Sequence, residues 1–424
     1  MNAVASRTTR FVHAHFHALT HRNYRTFWLG QCVSLIGTWV QNVSQAWLVL
    51  SLTKSPFLLG MLGLAQFLPL TVLSLFAGVI VDKFPKRSIL MVTQTVAMTI
   101  AFTTAALVFS GTIRFEHILV MAFLLGISNT FDMPTRQSMN IELVGREDLM
   151  NAVALNSMTF NLARIVGPAI GALLMATVGV GWCYMLNGIS FIVVLLTLSQ
   201  LRLTPFIREV RVGSTVWSEI RDGLAYIRAN PQLAQTVLFV AIIGTLGFNF
   251  NVLVPVLTQD VLGAGEATYG MLMSCVGLGA LVGAITIGMR SRRGPQLKLT
   301  VVLGTLVPIG LTLLAFAKTS WTAGALLLAC GFLNIAIATN SNSLLQMSAS
   351  DVYRARVMSV YTLVFAGSTP FGNLFTGWVA DKYGVGIAFL CCGALSLAFV
   401  SAVVWAFRSR SGPKPLDGGA AGRL

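Results

Sequence analysis

Charge is scarce in this chain, and that scarcity is the first constraint on what it can be. Only 10% of its 424 residues are Asp, Glu, Lys or Arg, against about 25% in an ordinary soluble domain. A water-soluble fold of this length would need a polar coat that the sequence does not contain. Acids are scarcer than bases: 14 Asp and Glu face 29 Lys and Arg, a formal net charge of +15. In a soluble protein that excess would suggest nucleic acid. Here nearly all Lys and Arg stand between apolar runs, as at bilayer edges, so a lipid bilayer is the expected partner and nucleic acid is not.

Other absences narrow the field further. The six cysteines, Cys32, Cys183, Cys275, Cys330, Cys391 and Cys392, all fall inside or at the ends of apolar runs. None has metal-ligand spacing or lies in a polar loop, so they read as small core-filling residues. No Gly-x4-Gly-Lys-Ser/Thr loop occurs, which excludes an ATPase of the chain's own. No nucleophile–base pair or metal cluster is visible, so the chain is not expected to be an enzyme or to hold a cofactor or metal. His13, His15, His17 and His21 cluster near the start, but no acid or Cys stands beside them; they read as part of a polar tail. Residues 1–23 have no apolar core, so a cleavable signal peptide is not expected.

What is abundant is apolar sequence. The hydrophobic fraction is 55% and the mean hydropathy +0.77. A span needs about 20 predominantly apolar residues. Such runs occur twelve times, at 24–50, 57–81, 88–110, 115–140, 151–176, 180–201, 233–258, 268–289, 297–317, 321–345, 356–379 and 385–407. The longest polar interruption, 202–232, holds five arginines and an amphipathic stretch from Val216 to Ile227, expected as a surface helix. The organisation expected is therefore a tail (1–23), a six-helix bundle (24–201), the linker (202–232), a second six-helix bundle (233–407) and a tail (408–424).

Counting bases orients the chain. The two tails and the even-numbered loops carry 23 Lys and Arg, and the opposite side carries four, Lys54, Arg114, Lys318 and Lys382. Both termini are expected in the cytoplasm. An internal repeat supports the division into halves: Gly78 and Gly283, Gly167 and Gly372, Gly179 and Gly384, and Arg87 and Arg292 are each 205 residues apart.

After the second run comes Gly78-Val-Ile-Val-Asp82-Lys83-Phe-Pro85-Lys86-Arg87. It resembles the loop signature of the major facilitator superfamily, with Pro85 where the family has Gly. The copy at Gly283–Arg293 has Ile287 in place of the Asp. In the fifth run, Ala163-Arg164-Ile-Val-Gly167-Pro168-Ala-Ile-Gly171-Ala172 resembles the motif that marks antiporters of that superfamily, with alanines replacing two family glycines. Pro168 removes a helix hydrogen bond, and Gly167 and Gly171 make a face for close helix packing. Asn23-Tyr24-Arg25, Gly37-Thr38-Trp39, Glu147-Asp148-Leu149, the segment Asn151–Asn156 and Arg356-Val357-Met358-Ser359 are similar to the enterobactin-exporter-like branch. The resemblance implies an all-α membrane protein with the major facilitator fold, twelve transmembrane helices in two pseudo-symmetric halves, in a bacterial inner membrane. It also implies export of siderophores, drugs or other secondary metabolites by a single chain.

In that fold the first, fourth, seventh and tenth helices line a cavity. Gln31, Ser34, Thr38, Gln41 and Gln45 recur every three or four residues along the first run, a stripe that would be costly against lipid. Asn129, Asp132 and Arg136 continue the pattern in the fourth, Thr245 and Asn249 in the seventh, and Asn334 and Ser341 in the tenth. Contact between helices is the alternative use of each. Asp132 lies about 12 Å inside its helix end, deeper than any other acid. A buried carboxylate can exchange a proton near neutrality, which makes Asp132 the candidate proton carrier, with Asp82 and Arg87 as gating residues. Its bland alternative is a structural partner for Arg136 or Arg164. Arg164 could hold an anionic substrate or act as a counter-ion to Asp132. The reading is proton-coupled export of a small organic molecule by alternating access. The alternatives are a proton-coupled importer of a nutrient or lipid precursor and a non-transporting sensor.

Overall fold

The computed structural model describes residues 16–201, 216–290 and 294–408. Outside these lie His13, His15, the start of the linker, Arg292, Arg293 and most of the C-terminal tail. The surroundings of Gly78 and the side chain of Asp82 are outside them as well.

Within them the chain is helical, with no strand among the described residues. The first six spans are Arg22–Thr53, Pro56–Lys83, Lys86–Phe109, Phe115–Val144, Leu149–Thr177 and Val180–Gln200. A linker helix, Val216–Ala229, precedes the other six: Pro231–Val261, Glu266–Met289, Leu297–Leu314, Ser320–Ser348, Asp351–Tyr383 and Val385–Arg408. Each expected run is thus a helix. Among the described residues, ten of the twelve are apolar enough to qualify as spans on composition alone. The first and eleventh are not, because polar residues take up too much of their length. Part of that polar content is buried, as at Gln41 and Gln45 in span 1 and Asn373 and Thr376 in span 11, which an apolarity count does not register.

The seventh span departs from the expected continuous helix. It stops at Leu246, resumes at Phe250 and ends in a π-helical turn, Leu257–Val261. Pro255 lies inside the resumed segment, where it removes one backbone donor. At other ends the local chemistry is ordinary. Ser55 accepts a hydrogen bond from the Leu58 amide, with Pro56 at the first helical position, both good helix starts. Gly179 and Gly384 take φ of 91° and 88° at the turns before the sixth and twelfth spans, a conformation that favours glycine. The same turn therefore occurs in both halves.

Helix packing repeats too. Span 1 packs on spans 5 and 6, span 2 on 4, and span 3 on 4 and 6; span 7 packs on 11 and 12, span 8 on 10, and span 9 on 10 and 12. The halves meet through span 2 on span 11 and span 5 on span 8, contacts that a two-fold exchange of halves maps onto each other. Glycine allows the approach. A Cβ at Gly60 would lie 2.5 Å from the Asn373 carbonyl oxygen, and one at Gly270 2.6 Å from that of Pro168.

Candidate functional site

An even number of spans brings both chain termini to one side of the bundle, and the halves are joined toward the other. At that far end Trp47 Nε1 donates to Glu266 Oε1 at 3.0 Å, and the Trp47 ring stacks on Tyr269 with centroids 5.4 Å apart. Asp381 of span 11 accepts from Ser55 Oγ at 2.6 Å and from the Phe57 amide at 3.3 Å. Nearer the middle, Ser274 Oγ of span 8 donates to the Ile165 carbonyl at 3.0 Å. The contacts between the halves named here therefore gather at the far end and the middle of the bundle. The structure is closed at its far end. The partners of Glu266 and Asp381 come from the other half, which no local sequence pattern reveals.

Asp132 is buried, 7% exposed, but it faces span 3 inside the first half. Its Oδ1 accepts from Thr93 Oγ1 and Gln94 Nε2, both at 2.8 Å, and Arg136 closes an ion pair one turn along. The Arg136 guanidinium also lies 5.9 Å from the centroid of Phe27. Of the two cations weighed as partners, Arg136 is the one that pairs. Asn129 does not share this pocket and is exposed with Met133 and Gln137, at helical spacing. Thr93 and Gln94 sit in an apolar run and were missed; only the fold shows that they converge on the carboxylate.

Arg164 sits apart. It is partly buried, its guanidinium 5.9 Å from the Trp39 ring centroid, and Trp39 meets Phe160 edge-on at 5.8 Å. Gly167 and Gly171 set this geometry, since Cβ atoms there would fall 2.4 Å from Trp39 Cβ and 3.3 Å from the Val40 carbonyl oxygen. Pro168, four residues on, deprives the Arg164 carbonyl of its helical donor.

The first-span stripe divides. Gln41 accepts from Asn187 Nδ2 at 2.7 Å, and with Gln45 it lines a small cavity shared with Thr104 of span 3 and Tyr184 of span 6. Both therefore pack inside the first half. Ser34 is buried, and Thr38 donates to the Ser34 carbonyl. Gln31 is partly buried, with a carbonyl oxygen that has no partner. In the second half, Asn334 Nδ2 donates to the Gly247 carbonyl at 2.9 Å, satisfying an acceptor freed by the break in span 7. Thr245 Oγ1 donates to the Ala241 carbonyl one turn back, Asn249 Nδ2 donates across the break to the Thr245 carbonyl, and Ser341 is buried with no partner for its hydroxyl.

Two further placements concern the terminal side. Arg87 donates to the carbonyls of Ser199 and Leu201, capping the C-terminus of span 6, a favourable place for a cation. His21 lies 2.8 Å from Asp148, Tyr24 donates to the Ala152 carbonyl at 2.9 Å, and the Ala18 amide to Asn151 at 3.1 Å. The tail histidines were read as having no acid nearby; in the fold, His21 has Asp148. The two motifs at Asn23 and Glu147, distant in sequence, therefore meet. No metal-holding group of His, Cys, Asp and Glu occurs among the described residues.

Two six-helix bundles related by a pseudo-two-fold axis, with polar and charged side chains inside the spans, define the class as a major facilitator secondary transporter. The family described as transmembrane secretion effector matches residues 13–414, and the chain belongs to it. The multidrug efflux pump Tap of Mycolicibacterium fortuitum is 30% identical over 85% of this chain and 89% of its own. The staphyloferrin A transporter of Staphylococcus aureus is 22% identical over 85% and 90%. The enterobactin exporter EntS of Escherichia coli O139:H28 is 26% identical over 89% and 92%. In structure, the nucleoside transporter NupG (D323A mutant) superposes with a TM-score of 0.74 at 13% identity, over 90% of this chain and 98% of that one. A bacterial Spinster homologue, inward-facing and unoccupied, gives 0.68 at 15%, over 91% and 94%.

Proposed function

We propose that this transporter exports a small organic molecule in exchange for protons, as a monomer in the bacterial inner membrane with both termini in the cytoplasm. The observation that carries the coupling is the Asp132 carboxylate, buried and held by Arg136, Thr93 and Gln94. Protonation would cancel its charge and release Arg136, so one proton changes the packing of spans 1, 3 and 4. The excess of bases on the terminal side supports the orientation, which makes the closed far end the external one. Named relatives that are exporters or efflux pumps support the outward direction, as does the resemblance of the Gly167-Pro168 segment to the antiporter motif.

Mass spectrometry of spent medium and cell extract tests this, comparing the native strain, a deletion, and the deletion complemented with wild type or Asp132→Asn. Export predicts a compound that accumulates inside the deletion and disappears from its medium, rescued by wild type only. A medium component left unconsumed by the deletion would establish import. Rescue by Asp132→Asn would remove that carboxylate from the coupling.

A further inference from the structure

Two bases largely buried in this bundle sit in ion pairs, Arg136 with Asp132 and Lys86 with Glu142, and a third, Arg87, donates to two backbone carbonyls. Arg164 has no carboxylate partner and no hydrogen-bond acceptor among the described residues; its guanidinium rests only on the Trp39 ring. A cation without a carboxylate partner at this depth is costly, and the fold has not removed it. It has instead fixed its position, through Gly167 against Trp39 and through Gly277 of the opposite half, where a Cβ would come within 2.6 Å of the Arg164 carbonyl oxygen. Arg164 therefore stands where the two halves touch, at the contact of span 5 with span 8.

We propose that Arg164, Trp39 and Phe160 form the charged end of the substrate site, and that the substrate is an organic anion, a carboxylate or phenolate, with an aromatic body. This rests on the transporter reading above. A guanidinium presents paired donors that match a carboxylate, and Trp39 and Phe160 offer edges and faces to a ring. Among the described residues a cationic substrate finds no free acid at this depth, since Asp132 is already engaged. The anion supplies the counter-charge that the chain lacks. Because it does so beside span 8, its arrival bears on both halves at once.

The test uses the full chain in nanodiscs and three probe sets: benzoate, 1-naphthoate and 9-anthracenecarboxylate, their neutral amides, and their aminomethyl cations. Calorimetric titration gives affinity, and the unfolding midpoint gives stabilisation. At least one acid is expected to bind about tenfold or more tightly than its own amide and its cation. Arg164→Gln is expected to bring acid and amide within about threefold of each other, while Arg164→Lys retains part of the preference. Trp39→Leu is expected to weaken the largest acid more than benzoate. Relieved of an unpaired charge, Arg164→Gln should unfold no earlier than wild type in the absence of ligand; if it does not fold, the Arg164→Lys comparison decides. Equal binding of acid and amide, preference for the cations, no binding by any probe, or an acid preference that survives Arg164→Gln would each overturn the assignment. Selective binding without transport in reconstituted vesicles under a pH gradient would count against the transporter reading and leave the site standing.

Discussion

Span 4 of the first half buries Asp132 and Arg136; its counterpart in the second half, span 10, has Ile337 and Ser341 at the positions 205 residues on. Arg164 of span 5 corresponds in the same way to Thr369 of span 11. The halves share their helix order, their packing partners and their glycine turns, yet only the first holds charge at depth. The second uses amides, with Asn334 bonded to Gly247 across the break in span 7 and Asn340 bonded to Thr300. What repeats is therefore sufficient for the fold, and the charges are additional to it. Ion pairs within a bundle are weak contributors to stability, so their restriction to one half points to work other than holding helices together.

Breaking the pair should give the largest effect. Asp132→Ala leaves Arg136 buried without its counter-ion, and the expected loss is about 3–5 kcal/mol, read as a lowered denaturation midpoint in detergent. Asp132→Asn with Arg136→Gln should recover most of that stability and none of the proton-driven transport. The transplant sharpens the contrast. Ile337 is 2% exposed, so Ile337→Asp alone should destabilise by several kcal/mol, and adding Ser341→Arg should recover only part. If the lone aspartate is tolerated, the second half is less apolar at that depth than its packing indicates.

Much of this architecture could be read before any coordinates. Apolar runs located all twelve helices to within a few residues, because a span's length is dictated by the bilayer, and the 205-residue offset identified the pseudo-symmetry. The orientation of polar side chains within a bundle was harder to read. Gln31 to Gln45 form one stripe by spacing, yet Gln41 and Gln45 turn toward spans 3 and 6, because a span enclosed by its own half has polar neighbours on more than one side. Asp132 was identified by depth; Thr93 and Gln94 were not, since a hydroxyl and an amide in an apolar run give no sign of the acid they will meet. The break in span 7 was also hidden. Gly247 is one of several glycines in the spans, and the amides of Asn334 and Asn249 that serve carbonyls at the interruption are not identified by any local pattern.

The glycine repeat offers a finer comparison between halves. A Cβ built at Gly167 would fall 2.4 Å from the Trp39 Cβ, while one at Gly372, its counterpart, would fall 1.8 Å from the Thr245 carbonyl oxygen. The backbone fixes both of those atoms, so neither can rotate aside, and the deeper overlap should make Gly372→Ala the more damaging, by about 1–3 kcal/mol, with Gly167→Ala milder. Equal unfolding midpoints for the two variants would mean that span 7, already interrupted nearby, shifts more readily than span 1. Asn334→Leu probes the interruption directly. It strands the Gly247 carbonyl and should cost about 2 kcal/mol, whereas Gln41→Leu, in a continuous region of span 1, should cost less.

The smallest expected effect tests how the halves are held together at the far end. Trp47→Phe keeps an aromatic ring against Tyr269 and removes only the Nε1–H that donates to Glu266. One hydrogen bond of this kind is worth about 1 kcal/mol, which corresponds to roughly a fivefold shift between closed and open far ends if the bond exists only when that end is closed. Stability should barely change, since the stack and its buried area persist. Spin labels at positions 54 and 382, on opposite halves, would report the shift as a larger fraction of long distances. An unchanged distance distribution would assign closure to the packing of span 2 on span 11 and of span 5 on span 8. The closed state would then be set by the same glycine contacts that the two halves share, and the single carboxylate–indole bond would be incidental to it.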